Sequence, residues 1–479
     1  MSAVDFPLGA GAGRLPAAIR RFLEQECFVV LALAGACALV AYGLPTLLVQ
    51  DSWLALVDGR FVAQHGLPRV DDLTVMANGA RWIDQQWLAH LTLYGLERAG
   101  GLRLALAGGL GLTFLALCLA AVLARRAGAS ARSVALLALS PLCVAPWLLQ
   151  LRTQTFAVPI FVAVYGLLAS DSRRPTTRVW LVLPLLVLWA NLHGSVVLGA
   201  ALVGCHGLLV ARRSLLRGLA LAAAAPAAVL VTPYGLEITG YYRWMLLGSP
   251  LRKYVVEWRP ATFGVVTALF FVAAALVLVA LGRHGRVLSP LERLALPLLF
   301  FAGLASVRNG AWLALAVAVS GPRLLDAAWR PPAALPAAAL RLNRMLAAGA
   351  LTLAAVVVAA SLARPASSFE SRWPAAGARA AAAAAGNDGL VLADDVHSDW
   401  LLWKEPQLAG RVAYDVRFEL LDRSELETLW SFREQGFHRS LARPYRVLTF
   451  ASEKKAAPWR KGARAVFDGS GFVVLSRGG

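Results

Sequence analysis

Apolar runs of helical length recur along the chain, near 26–49, 103–124, 133–149, 155–170, 178–194, 196–211, 217–234, 262–282, 289–306, 308–321 and 344–363. A bilayer core takes roughly 20 predominantly apolar residues per helical crossing, so this pattern predicts about eleven transmembrane helices. The intervening polar segments are mostly short. Two are long, 50–102 and 235–261, and a third region, 364–479, lies beyond the last run. In the first, Asp51-Ser-Trp-Leu-Ala-Leu-Val-Asp-Gly-Arg-Phe places apolar residues at helical spacing, and Gln85-Gln86-Trp87-Leu opens a second such stretch. Amphipathic helices of this kind lie in the membrane interface. The second long segment carries Tyr241, Tyr242, Trp244, Arg252, Lys253, Glu257 and Trp258, residue types suited to a membrane surface.

The region after 364 changes period and reads as a small α/β domain. A helix over 374–385 precedes a strand at Leu390-Val-Leu-Ala and a helical stretch ending near Trp403. A strand at Arg411-Val-Ala-Tyr follows, then a helix from Ser424 to Gln435 with Ser424 as N-cap and Glu427 at the capping-box position. Strand Tyr445–Phe450 and a hairpin, Ala463–Phe467 with Phe472–Ser476 around Asp468-Gly-Ser-Gly, complete it. The expected fold is therefore an α-helical polytopic membrane protein with a small C-terminal α/β soluble domain. Its expected divisions are an N-terminal segment 1–25, a transmembrane module 26–363 and the domain 364–479.

Composition agrees. Of 479 residues, 58% are hydrophobic and 16% charged, and mean hydropathy is +0.61, which excludes an ordinary water-soluble enzyme. The net charge of +19 could suggest nucleic acid, but its distribution says otherwise. Lysine is confined to Lys253, Lys404, Lys454, Lys455 and Lys461; the rest is arginine, in blocks between apolar runs. After Arg14, Arg20 and Arg21 come Arg125/Arg126/Arg132, Arg173/Arg174/Arg178, Arg212/Arg213/Arg217, Arg283/Arg286 and Arg323/Arg330/Arg341/Arg344. With these eleven crossings every block falls on the side of the N-terminus, the positive-inside pattern. The first run has no small-residue cleavage site and reads as an uncleaved helix. The N-terminus is expected in the cytoplasm of a bacterium and the C-terminal domain outside its plasma (inner) membrane. Cys27, Cys37, Cys118, Cys143 and Cys205 all lie in apolar runs, so no disulfide framework or cysteine metal site is expected.

Polar residues near the helix ends gather at the outer face. Asp51 follows the first run; Arg152 and Gln154 occupy the turn Gln150-Leu-Arg-Thr-Gln; Asn191 and His193 occupy Trp189-Ala-Asn-Leu-His-Gly. Tyr234 ends the seventh run, Glu257-Trp258 precedes the eighth, and Arg308-Asn309 sits in a very short turn. Such groups are costly in lipid and converge here on one depth, where a bundle can assemble them into an outward-opening chamber. One carboxylate there, Asp51, can act as general base toward an acceptor hydroxyl. Arginines at headgroup depth, Arg152 and Arg308, can hold a phosphate. An apolar flank lets an isoprenoid tail stay in lipid. Together these needs describe sugar transfer from a polyprenyl-phosphate donor.

Asp51-Ser-Trp-(x)5-Gly59-Arg60-(x)4-His65-Gly66-Leu-Pro68-(x)2-Asp71 resembles the first outer loop of the GT-C superfamily of membrane glycosyltransferases. It is similar in particular to the bacterial branch related to protein O-mannosyltransferases and aminoarabinose transferases, whose uncharacterised members often end in a periplasmic domain. Arg81-Trp82-(x)4-Trp87-Leu88, Trp189-Ala-Asn191-Leu-His193-Gly194, Thr232-Pro-Tyr234-Gly235, Glu257-Trp258, Arg308-Asn309 and Tyr414-Asp415-Val-Arg417 resemble motifs of that group. The resemblance implies an inverting transferase with Asp51 as catalytic base. It makes Asp71 a second acid of the same loop. Asp71, Asp72, Trp87, Asn191, His193, Tyr234 and Glu257 are then expected to position donor or acceptor. Ser52 stands where an Asp-Glu pair would continue, and Ser398-Asp399-Trp400-Leu401 lacks a glycine pair. Some relatives use a divalent ion, for which Asp51 with the distant Asp71 and Asp72 is too little, so no cofactor is assigned.

The expected partners are a polyprenyl-phosphate-linked sugar, a lipid, glycan or protein acceptor, and the membrane, without nucleic acid. An O-antigen-ligase-like transferase would place its machinery in a large late outer loop, which is absent between the ninth and tenth runs. A transporter of lipid-linked glycan predicts repeated halves and broken mid-membrane helices. The mid-run stretches are unbroken Leu, Val and Ala. A non-catalytic membrane scaffold presenting the C-terminal domain is the remaining alternative.

Overall fold

The computed structural model describes residues 16–265, 267–329, 336–435 and 439–477. Arg14 and Arg330 of the basic blocks lie outside the described residues. Each apolar run falls on helix: Cys27–Tyr42, the second half of Trp87–Arg126, Ala131–Ala138 with Ser140–Val144, Gln154–Arg173, Val182–Leu192, Val196–Ala211, Leu215–Val229, Ala268–His284, Pro290–Ala305, Gly310–Trp329 and Ala337–Leu362. Among the described residues, five helices are long and apolar enough to cross a bilayer alone, or six if the bent pair Ala17–Gln25 and Cys27–Tyr42 counts as one crossing. Four more apolar helices are shorter, at 10–17 residues.

The arginines of the basic blocks are engaged with one another's neighbours. Buried Glu292 takes Arg173 at 3.0 Å and a shorter contact from Arg323; Asp171 takes Arg217 at 2.7 Å and His206 at 2.9 Å. Arg125 pairs with Glu26 at 2.7 Å, and Arg344 with Glu24 at 3.3 Å. These pairs tie together helix ends that the charge pattern assigns to one side.

At the other end, the first long segment builds the floor of the site. Helix Gln50–His65 packs along the start of helix Trp87–Arg126 so closely that a Cβ on Gly59 would meet the His90 carbonyl oxygen at 2.2 Å. The backbone leaves helical geometry at Gly100 and Gly101, Gly101 having φ of 69°, which separates this packed first part from the crossing that follows. The apolar face of helix 50–65 is filled by protein rather than left free. Arg60 donates to the Leu402 and Trp403 carbonyls at 2.6 and 3.0 Å, capping helix Ser398–Lys404 of the C-terminal region, and Trp53 meets Trp373 edge-on at 5.3 Å.

The C-terminal region contains a four-stranded sheet of β1 (Leu390–Leu392), β2 (Tyr445–Phe450), β3 (Arg464–Gly469) and β4 (Phe472–Ser476), in order β1-β2-β4-β3. β1 and β2 are parallel; the other pairs are antiparallel. The β3–β4 hairpin turns through Ser470 and Gly471, both at positive φ, the geometry of a two-residue primed turn. Two expectations need correction. Residues 411–414 form no strand: Val412 bridges Val391 on one side and Thr74 on the other, and the Val75 and Met76 N–H groups bond the Val412 and Ala413 carbonyls at 2.8 and 2.9 Å. That backbone is used to dock the first long loop. The helix of 424–435 runs as Arg423–Trp430 and continues as a π-helical turn, Ser431–Gln435, but its cap is Asp422, whose carboxylate accepts from the Glu425 N–H at 2.8 Å while Glu425 reaches back to Asp422. Asp422 lies in extended geometry and offers a charged acceptor, so it outcompetes Ser424. One apolar cluster joins Ala77 of the first loop, Met245, Leu251 and Tyr254 of the second long segment, and Leu392, Tyr414 and Trp430 of the C-terminal domain.

Candidate active site

A cavity of about 740 Å³ lies where these three parts meet. Its wall includes Asp51, Gln85, Gln86, His90, Arg152, His193, Glu257, Trp258 and Arg308, with Asp395, Phe418, Glu419, Trp430 and Arg433 closing the side formed by the C-terminal domain. Five of the residues singled out by sequence, Asp51, Arg152, His193, Glu257 and Arg308, therefore share one chamber.

Its charged centre is Arg152. The guanidinium Nε lies 3.0 Å from Asp51 Oδ2, but its N–H is not aimed at that oxygen, so this is an ion pair rather than a hydrogen bond. Nη1 donates to both oxygens of Glu257, at 2.8 and 3.1 Å. Burial disfavours the cation of Arg152, the two carboxylates outweigh it, and the net pKa is raised. Ser52 organises this arrangement. Its hydroxyl accepts from the Val49 N–H at 3.1 Å and donates to the Leu151 carbonyl at 2.6 Å, fastening the start of helix 50–65 to the turn that carries Arg152. Asp51 is half-exposed, and its Oδ1 makes no hydrogen bond among the described residues.

Arg308 stands apart. Its guanidinium lies over the Trp258 ring at 4.5 Å and forms no ion pair among the described residues. The turn holding it is laced to the preceding segment: Ser306 donates to the Glu257 carbonyl at 2.9 Å and the Val307 N–H to the Arg259 carbonyl at 3.1 Å. His193 has its Nδ1 accepting from the Ser195 N–H at 3.1 Å and lies 2.7 Å from the Ser195 hydroxyl. With Nδ1 engaged as acceptor, the proton of this imidazole is on Nε2, a neutral donor in the cavity wall.

Asp71, Asp72, Trp87, Asn191 and Tyr234 do not line the cavity. Asp72 is exposed. Asp71 is buried, takes the Thr74 N–H and hydroxyl at 3.1 and 2.8 Å, and pairs with Arg417 at 2.7 Å. Trp87 Nε1 donates to Asn191 at 2.9 Å, and Asn191 in turn donates to the Val187 and Val231 carbonyls. The Tyr234 hydroxyl accepts from the Asp84 N–H and donates to the Pro68 carbonyl, both at 3.2 Å. These side chains brace the loops around the site. Asp51 and Asp71 thus do not converge on a common metal position, and no cluster of three or more His, Cys, Asp or Glu suited to a metal occurs among the described residues.

Sequence reasoning passed over His90, Glu419 and Arg433. His90 Nδ1 lies 3.0 Å from Asp84 and 3.7 Å from Asp58. Asp84 directly before a helix, with a histidine in its second turn, is the local signal that could have found this pair. Glu419 and Arg433 come from the far end of the chain, and nothing local marks them. Burial pushes the Glu419 carboxyl up to about 7.

No family model and no curated protein sequence matches the chain. Solved structures do. ArnT from Cupriavidus metallidurans bound to undecaprenyl phosphate superposes with a TM-score of 0.54 at 14% identity, covering 93% of this chain and 97% of that one. The apo state of the same protein gives 0.53 over the same shares. The apo Archaeoglobus fulgidus oligosaccharyltransferase gives 0.51 at 12% identity, over 90% of this chain and 70% of that one. At such identities the likeness establishes the fold, which is the one the GT-C resemblance implies.

Proposed function

We propose that this chain is an integral-membrane, inverting glycosyltransferase that moves a sugar from a polyprenyl-phosphate donor to an extracytoplasmic acceptor, with Asp51 as general base. The observation that carries the proposal is a single cavity holding Asp51, the Arg152–Glu257 pair and Arg308, which has no ion-pair partner among the described residues, in a fold shared with a protein solved with undecaprenyl phosphate bound.

Inversion requires attack on the anomeric carbon from the side opposite the departing phosphate. The acceptor hydroxyl gives its proton to Asp51 Oδ1 as its oxygen bonds the anomeric carbon. The bond from that carbon to the phosphate oxygen breaks, and the electron pair goes to the phosphate. Arg152 holds Asp51 in place through the ion pair at 3.0 Å. Arg308, lying over Trp258, has its N–H groups available for the phosphate. The surrounding bundle keeps the tail in lipid, and the C-terminal domain closes the chamber over the acceptor. The membrane is read as the bacterial inner membrane, with the site facing outward.

The test is transfer by the purified full chain in lipid, with donors chosen by mass spectrometry of lipids and glycans from a deletion strain. A lipid-linked sugar accumulating in that strain should be consumed by the wild type and produce free polyprenyl phosphate. No change in any lipid or glycan, with no transfer in vitro, would rule the reading out.

A further inference from the structure

His90 has no role in the mechanism above, yet it is part of the cavity wall and is almost completely buried. Its carbonyl is pressed against Gly59 and its Nδ1 is held by Asp84, so neither the backbone nor the ring is free to move away. Asp84 is fixed in turn: its Oδ1 accepts from the Gln86 N–H at 3.0 Å, and its own N–H bonds the Tyr234 hydroxyl. With Nδ1–H committed to Asp84, only Nε2 is left, and it makes no hydrogen bond among the described residues. A ring locked in this way has one nitrogen left open, on a residue that lines the chamber.

We propose that His90, anchored through Nδ1 to Asp84, presents Nε2–H as an imidazolium to the phosphate of the lipid donor, as the third cation of that site beside Arg152 and Arg308. The proposal rests on the polyprenyl-phosphate reading and adds a titratable member to it. The bond involved is a charge-assisted N–H···O hydrogen bond to the phosphate; the proton stays on the ring throughout. Four groups face His90. Asp84 comes from the loop before its own helix and Asp58 from helix 50–65. Arg417 comes from the C-terminal domain and His193 from the turn after helix Val182–Leu192. Burial and Arg417 disfavour the imidazolium; the charge and hydrogen bond of Asp84 outweigh them, and the net shift is upward from the usual histidine value. His193, with Nδ1 accepting from backbone, supplies the neutral donor of the same wall. The two histidines thus use Nδ1 in opposite senses, His90 toward the Asp84 carboxylate and His193 as acceptor from the Ser195 N–H.

The experiment is equilibrium binding of radiolabelled undecaprenyl phosphate to the full chain in nanodiscs, between about pH 5.5 and 8.5. The phosphate itself ionises near pH 6, so the comparison is between proteins at each pH, where the ligand's titration cancels. His90→Gln is expected to bind about tenfold more weakly than wild type at pH 6, with the ratio closing toward one at the alkaline end. Asp84→Asn, which leaves the ring but removes its counter-charge, should move that closure to lower pH. Thermal melting of each protein checks folding, and Asp84→Asn carries the test if His90→Gln does not fold. A ratio that stays constant with pH, or equal binding throughout, overturns the proposal while leaving the donor reading intact. Failure of the wild type to bind at any pH overturns both.

Discussion

Arg417 of the C-terminal domain holds Asp71 of the first long loop at 2.7 Å, with both side chains essentially without solvent, 346 positions apart in the chain. The same guanidinium takes Asp415 at 2.5 Å and lies 4.1 Å over Trp82. Around it Asp399 accepts from the Val416 N–H, and Asp58 keeps one oxygen without a partner. One cation among several carboxylates therefore reinforces the attachment of the cavity's roof to its floor.

Removing that cation should be costly. Arg417→Met leaves Asp71 and Asp415 buried and uncompensated, a loss of about 3–5 kcal/mol. The expected outcome is a lowered melting temperature and early proteolytic release of the C-terminal domain. Asp71→Asn/Arg417→Met should recover part of the loss. Unchanged melting in Arg417→Met would mean that the domain is held by its apolar contacts and by the hydrogen bonds of Arg60 and of residues 412–413, without need of this ion pair.

The same cluster makes stability depend on pH. Burial raises Asp58 to about 8, so it stays protonated when folded and ionises when unfolded. A raised folded pKa contributes stability that is complete below the unfolded value near 4 and is lost as pH rises to about 8. The slope is at most about 1.4 kcal/mol per pH unit. His90, also raised, acts in the same direction. Melting of the wild type should fall between pH 5 and 8, and Asp58→Asn should flatten the curve. Equal slopes would remove Asp58 from the linkage.

Much of this architecture is written locally. Runs of Leu, Val and Ala near 20 residues leave no alternative to helix in lipid, and the β3–β4 hairpin follows from Asp468-Gly-Ser-Gly between two β-rich runs. The gathering of Arg152, His193, Glu257 and Arg308 followed from one idea, that polar groups at helix ends share a depth. That idea fixes depth and not direction. Asn191 and Tyr234 sit at the same level but turn sideways into neighbouring loops, and no spacing rule distinguishes them from His193. Ser52, noted only for interrupting an acidic pair, is the fastening of the turn that carries Arg152. Arg417 was noted as part of a motif, but its partner Asp71 cannot be deduced from a separation of 346 residues.

The expected orientation rests on the positive-inside pattern, with which the paired arginines agree. Arg125, Arg173, Arg217, Arg323 and Arg344 meet acidic partners from other helix ends, which is satisfied when those ends share a side. A reporter fused after Gly479 should then be active outside the cytoplasm only. Activity in the cytoplasm would mean an even number of crossings and would place the cavity on the wrong side for a flipped lipid donor.

Arg152 and Arg308 should behave differently from each other. Arg308 has no carboxylate partner among the described residues, so Arg308→Gln is expected to weaken polyprenyl-phosphate binding by about tenfold or more, with Lys restoring part of it. Arg152→Gln also frees Asp51 and Glu257, so it should lower turnover as well as affinity. Full activity in the double variant Arg152→Ala/Arg308→Ala would take both out of the site.

Asp51 carries the sharpest prediction, because its surroundings separate binding from chemistry. Its Oδ2 faces Arg152 and its Oδ1 is unengaged among the described residues, so one oxygen is held and the other can receive a proton. Asp51→Asn preserves the size and the acceptor edge but cannot take that proton. The variant should fold, since Ser52 and Leu151 still fasten the turn, and it should still bind the lipid phosphate through Arg308. Turnover should fall by about 10²–10⁴, the loss expected for removing a general base. Asp71→Asn, which alters the buried pair with Arg417 and not the cavity wall, should act mainly on stability. A single-turnover assay with purified protein in lipid separates the cases. Equal rates for wild type and Asp51→Asn would leave Asp51 a mere partner of Arg152 and require a different base from the same wall.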